Sequence, residues 1–365
     1  MTTTDAPASR PELDAPTPED LDAFVGRFVT DLAAVAHAAT VVIGDKLGLF
    51  RALADHGPAT AGELAAVTGC DERSLQEWLS AQAASEYACY DPTTGRFHLD
   101  AVQRTCLADP SHPAFLAGGM TVVSSFHKDE EAVREAFSTG EGLPWHAHHD
   151  DLFIGTERFF RPGYAANLVT EWIPALDGVE AKLRAGTTVA DVGCGHGAST
   201  LLLAEAYPDS TIVGFDNHPA SVEVARQRAA ETGLGDRVRF EVASAASFPG
   251  AGYDLVCIFD ALHDMGDPVA AAAHIRSALA PDGTWLLVEP SAGDRLEDNL
   301  GLVGRIFYSA SSIVCVQHSK SEPVGAALGA QAGDARLRAV VEAGGFTRFR
   351  RAAETPFNVV LEVRP

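Results

Sequence analysis

ADVGCGHGAST, residues 190–200, sets three glycines at alternate positions between the apolar start of a strand and the helix-like run STLLLAEAY. An acid, Asp191, stands two residues before the first glycine. Bare backbone at a strand-to-helix turn lets a ligand approach the main chain, and the helix N-terminus that follows favours a negative group there. Asp216, at the end of the next predicted strand, can accept hydrogen bonds from two vicinal ribose hydroxyls. Read alone the loop is ambiguous, because GCGHGA also satisfies the dinucleotide pattern GxGxxA of nicotinamide-dependent oxidoreductases.

Working outward, strands and helices alternate from about residue 187. The pattern predicts strands over 187–193, 210–216, 237–243, 253–260 and 283–290, with helices over 198–207, 219–232 and 267–279. That alternation implies a parallel sheet with helical crossovers. After an insertion at 291–335, a helix over 334–345 leads into FTRFRRA and PFNVVLEV, an expected antiparallel pair. RFRR at 348–351 reads as the solvent face of a late strand. The predicted class is α/β: a Rossmann-like domain over 181–365, its sheet mostly parallel with a C-terminal antiparallel pair.

In front of it, residues 21–43 carry Phe24, Phe28, Leu32, Val35 and Ala39 at helical spacing, apolar on more than one side. Residues 46–100 read as three short helices and a Thr-Gly hairpin, a winged-helix arrangement. Such a module can read DNA, but its third helix sets Arg73 against Glu72, Glu77 and Glu86, and the wing adds only Arg96. Packing or homodimerisation through 21–110 is the expectation. Residues 111–180 read as a helical linker rich in aromatics and histidines, and residues 1–20 as a disordered tail.

Composition narrows the field. The 365 residues are 46% apolar with a formal net charge of −23, which speaks against nucleic-acid or anionic-membrane partners. No apolar run is expected to reach membrane-spanning length, and the N-terminus has no signal-peptide pattern. Six cysteines without a CxxC pair fit reduced thiols in a cytoplasmic protein.

The segments ADVGCGHGAS, IVGFDNHPASVEVAR, YDLVCIFDALHDMGDP and LAPDGTWLLVEP follow one another in an order and spacing that resembles the class I S-adenosylmethionine-dependent methyltransferases. With the winged-helix module in front, the chain looks like small-molecule methyltransferases that dimerise through that module. The resemblance implies S-adenosylmethionine as cofactor. Asp191, Gly193, Gly195 and Gly197 would line its methionine end, and Asp216 would hold the ribose. Asn217 would border the adenine, while Asp260 would lie near the sulfonium. The family often has an acid after strand three for the adenine amine; here Ser244 and Ala245 fall at that place. The alternative is a cofactor-sensing or DNA-binding regulator without turnover, against which the acidic third helix counts.

Related small-molecule O-methyltransferases place a catalytic His where His263 stands, so His263 is the first acid–base candidate. PWHAHHDD adds His146, His148 and His149, of which His149 and His146 are candidates to face the acceptor. The resemblance extends to a subgroup acting on α-keto acids that binds a metal through a His-Asp pair and a later His. His263, Asp264 and His318 could imitate that set, but no metal is assigned. Phe126, Trp145, Phe159, Phe160, Tyr164, Trp172, Phe307 and Tyr308 are candidate walls of an acceptor pocket. The acceptor is expected to be a small molecule.

Overall fold

The computed structural model describes residues 15–365. The expected tail 1–20 thus falls mostly outside the described residues, and helix α1 (Pro18–Lys46) begins earlier than periodicity alone predicts. Thr17 explains the start: its hydroxyl accepts from the Asp20 amide, the Asp20 carboxylate reaches back, and Pro18 occupies the first turn. At 29 residues with a mean hydropathy of 1.4 over its most apolar window, α1 is long and apolar enough to cross a bilayer. This corrects the sequence expectation. The C-terminal half of α1, however, packs within a protein core.

That core belongs to α2 (Leu49–His56), α3 (Ala61–Thr68), α4 (Glu72–Ala84), the hairpin β1 (Cys89–Asp91) and β2 (Arg96–His98), and α5 (Ala101–Ala108). Val41 joins Leu49, Phe50, Leu53, Leu64 and Leu79 in it. Trp78 lies against Gly44 so closely that a Cβ there would come within 2.5 Å of the indole, and its Nε1 donates to the Thr40 carbonyl at 2.9 Å. In the third helix Arg73 pairs with Glu77, and in the wing both Nη atoms of Arg96 donate to Glu63 at 2.6 Å. The arginines of both elements are therefore engaged by acids.

The linker contributes α6 (Ala117–Lys128), α7 (Glu130–Thr139) and α8 (Asp150–Asn167). Ion pairs fasten α8 to α1: Asp151 holds Lys46 at 2.7 Å, and Arg158 donates to Asp45 at 2.8 Å.

The rest is an α/β unit. Its elements are α9 (Val179–Ala185), β3 (Thr188–Val192), α10 (Ala198–Ala206), β4 (Thr211–Asp216), α11 (Pro219–Glu231), β5 (Val238–Val242), β6 (Tyr253–Phe259), α12 (Pro268–Ala278) and β7 (Leu279–Pro290). Then follow α13 (Leu302–Ile313), α14 (Cys315–Ser321), α15 (Gly333–Ala343), β8 (Arg348–Glu354) and β9 (Asn358–Arg364). The seven strands lie in the order β5-β4-β3-β6-β7-β9-β8, parallel except that β9 runs antiparallel to both neighbours. Helices cover both faces, so the central strands are continuous apolar runs such as Leu255–Ile258 and Leu286–Val288. β8 is an edge strand with Arg348, Arg350 and Arg351 exposed, as the RFRR alternation predicts. The chain winds outward through β4 and β5, then crosses back to β6, which puts the topological switch point between β3 and β6.

Candidate active site

A cavity of about 440 Å³ opens at the carboxyl ends of β3, β4 and β6, beside that switch point. The glycine loop forms one wall. Gly193, Gly195 and Gly197 have φ of +74°, +51° and +81°, and a Cβ on Gly197 would meet the Phe240 ring at 2.7 Å. Gly193 and Gly195 line the cavity, whereas Gly197 packs beneath the loop. Asp191 also lies away from the wall. It is wholly buried, accepting from Ser199 Oγ at 2.7 Å and Thr200 Oγ1 at 2.6 Å, and so ties the end of β3 to the first turn of α10. Burial pushes its carboxyl up to about 6. The expectation that Asp191 and Gly197 line the methionine end is thus corrected: both shape the loop from behind.

Asp216 sits at the cavity as expected. Its Oδ2 accepts the Gly195 amide and its Oδ1 the His218 amide, each at 2.8 Å, while burial raises its pKa. Asn217, Ser244 and Ala245 line the same end. Asp260 closes β6 with a φ of +50°, a conformation rarely adopted by a non-glycine residue. Its oxygens accept from Tyr164 Oη and Asn358 Nδ2, each at 2.7 Å. Burial, reinforced by nearby Glu289, pushes this carboxyl up to about 7. The sequence gives no signal for Tyr164 or Asn358 as its partners, because they come from α8 and β9.

His263 departs from expectation. It is buried, does not line the cavity, and has carboxylates at both ring nitrogens: Glu289 Oε2 at 2.5 Å from Nδ1 and Asp264 Oδ1 at 3.1 Å from Nε2. Burial alone would lower its pKa, but Asp264 and Glu289 hold it well above the ordinary value. Carboxylates at both ring nitrogens leave neither nitrogen turned toward the cavity. Asp264, its partner, does reach the cavity. His263, Asp264 and Cys315 bring their ligand atoms within 4.8 Å of one another, a group that could hold a metal ion. His318 is not the third member: its Nδ1 accepts the Trp145 amide at 3.1 Å.

The opposite wall comes from the linker and the insertion. Trp145, Phe160 and Tyr164 line it, joined by Phe153, which aromatic content alone did not single out. Trp172 belongs to the core under the sheet, Phe126 and Phe307 pack in a separate cluster, and Phe159 and Tyr308 do not reach the cavity. His146 and His149 are exposed and face away from it, which corrects their candidacy. His149 instead caps α8 by accepting the Asp151 amide. His148, between them, is buried against Asp129 at 2.9 Å.

Comparison with known proteins bears directly on this arrangement. Residues 183–338 match the model of a methyltransferase domain, and residues 34–108 that of the Rv2258c-like winged HTH domain. Residues 183–338 thus form a methyltransferase domain, preceded by a winged-helix domain. Among curated relatives, it is 35% identical over 118 residues to 27-O-demethylrifamycin SV methyltransferase of Amycolatopsis mediterranei, covering 30% of this chain and 43% of that protein. Trans-aconitate 2-methyltransferase of Streptomyces coelicolor is 36% identical over 107 residues, 29% of this chain and 35% of that one. The aligned stretch spans less than half the length of these relatives. Solved structures match over nearly the whole chain. The mitomycin 7-O-methyltransferase MmcR has a TM-score of 0.70 at 22% identity, covering 94% of this chain and 99% of its own. Human N-acetylserotonin methyltransferase in complex with SAM has a TM-score of 0.65 at 18% identity, covering 93% and 97%. At these identities the likeness is one of fold, and it includes the winged-helix domain.

Proposed function

We propose that the protein binds S-adenosylmethionine in the cavity at the switch point and passes its methyl group to oxygen, nitrogen or carbon of a small molecule. The observation that carries this reading is Asp216. Each of its oxygens takes one loop amide and retains a further lone pair, the acceptor pair that vicinal ribose hydroxyls require. In this reading Asn217, Ser244 and Ala245 border the adenine, Gly193 and Gly195 run along the methionine portion, and Asp260 lies near the sulfonium. When bound, the cofactor supplies an activated methyl group with a neutral thioether as leaving group. The chain's own work is then positioning, the larger part of catalysis for an in-line displacement. Tyr164 and Asn358 fix the Asp260 carboxylate, whose charge favours a cation beside it. His263, buried between Glu289 and Asp264 and turned away from the cavity, holds the Asp264 side in place rather than acting as a base. Calorimetric titration with S-adenosylmethionine, followed by transfer from a labelled donor to a panel of small acceptors, tests the reading. No binding by the intact protein would defeat it.

The same reading assigns residues 21–110 to homodimerisation. Support comes from the N-terminal half of α1, where Leu21, Phe24, Val25, Phe28 and Leu32 are all more than half exposed. A continuous apolar stripe of this kind seldom faces water in a monomer.

A further inference from the structure

Among the described residues no lysine or arginine lines the cavity, yet six carboxylates do: Glu157, Asp216, Asp260, Asp264, Asp267 and Glu322. Five have partners. Amides hold Asp216, Tyr164 and Asn358 hold Asp260, and His263 faces Asp264. Arg228 lies 3.0 Å from Glu157, and Asp267 caps α12 through the Ala270 amide. Glu322 differs. Its Oε2 accepts the Gly266 amide at 2.8 Å, but Oε1 is left with His318 Nε2 at 3.7 Å, beyond hydrogen-bond reach.

Trp145 and Phe153 line the same cavity as this carboxylate, with His318 between it and Trp145. Trp145 lies 5.7 Å from the His318 ring and 5.5 Å from Phe153, centroid to centroid. Because His318 Nδ1 accepts the Trp145 amide, a neutral His318 carries its proton on Nε2 and adds no acceptor there. A carboxylate oxygen without a hydrogen-bond partner, in one cavity with Trp and Phe rings, suits a positive charge attached to a flat ring. An anionic ligand in the same cavity would meet several carboxylates and no lysine or arginine to offset its desolvation. We infer that the methyl acceptor is an aromatic molecule bearing a protonated amine, its ring against Trp145 and Phe153 and its charge toward Glu322, and that carboxylic acids are rejected. The inference rests on the proposed methyl-transfer reading of the cavity.

Three indoles of one skeleton test it: tryptamine (cationic), tryptophol (neutral) and indole-3-acetate (anionic), titrated into the full-length protein loaded with S-adenosylhomocysteine. Binding of S-adenosylhomocysteine is measured first, and its failure would strike the cofactor reading itself. With it bound, tryptamine should bind more tightly than indole-3-acetate by at least about tenfold, with tryptophol between. Glu322→Gln keeps an acceptor for the Gly266 amide. It should bring tryptamine to within about threefold of tryptophol and leave tryptophol and S-adenosylhomocysteine unchanged. Trp145→Ala should weaken all three indoles alike. Equal affinities, a preference for indole-3-acetate, no binding by any of the three, or a tryptamine preference that survives Glu322→Gln would each overturn the inference.

Discussion

The two walls of the cavity are made in different ways. The cofactor-side wall follows neighbouring strand ends of one sheet, where Asp216 is fixed by the amides of His218, two residues on, and of Gly195 in the glycine loop. The facing wall is assembled from distant segments. Tyr164 reaches Asp260 across 96 residues, Asn358 reaches it across 98, and the Trp145 amide meets His318 across 173. A wall set by strand ends cannot change without disturbing the sheet. A wall hung from a linker helix and an insertion can be re-lined freely, which is where acceptor choice is expected to reside.

If the walls divide the work this way, Asp216→Ala should show the largest effect. Two charge-assisted hydrogen bonds, each about 1.5–3 kcal/mol, would be lost. S-adenosylmethionine should bind at least about a hundredfold more weakly by calorimetry while circular dichroism stays native. A loss below about threefold would break the comparison at its firmer side.

Joint replacement Phe24→Asp and Phe28→Asp should turn a dimer into a monomer in sedimentation at micromolar protein. Each aromatic buried in an interface contributes about 1.5–3 kcal/mol, and the introduced charges oppose reburial. Cofactor affinity should hold, and a wild-type chain that sediments as a monomer would remove the dimer from the proposal.

Trp145→Ala tests the other wall. Acceptor KM should rise roughly tenfold, the worth of one aromatic contact and its buried area, with cofactor affinity changed less than about twofold. Equal losses for both ligands would show that the walls are not separable.

A smaller effect follows from Asp260. Its carboxyl is raised to about 7 in the folded protein, so between the ordinary carboxylate range and that value the folded state holds a proton the unfolded chain has lost. Stability of the ligand-free protein should therefore fall as pH rises through this window. A cation bound beside Asp260 favours the ionised form, so S-adenosylmethionine should bind several-fold more tightly at about pH 8 than at about pH 6, with proton release. Asp260→Asn should flatten that slope, and an unchanged slope would assign it to another group.

Chelation should have the least effect, leaving turnover as it was. Stoichiometric metal in the purified protein, lost on Cys315→Ala, would instead make His263 a ligand and replace its orienting role.

The sequence carried one wall and little of the other. The glycine loop, Asp216, Asn217, Ser244 and Asp260 are legible because strand periodicity puts them at loop positions that the fold brings together automatically. His263 was legible as a position but not as a chemical state. Its partner Glu289 lies near the end of a different strand, 26 residues on, and that contact, together with Asp264, raises the pKa of the ring. For the same reason His146 and His149, which composition groups with the site, turn outward with the start of α8, while Phe153 in the next turn faces in.

By itself the sequence determined the alternation of strands and helices, the winged-helix module and the glycine turn, since each follows from local spacing and near-neighbour hydrogen bonds. The tertiary structure alone decided which aromatics wall the cavity, that Cys315 rather than His318 joins His263 and Asp264, and that Glu322 Oε1 is left without a hydrogen bond. Those outcomes depend on the distance between segments far apart in the chain. Packing of α8 and the insertion over the sheet sets that distance, and no local pattern encodes it.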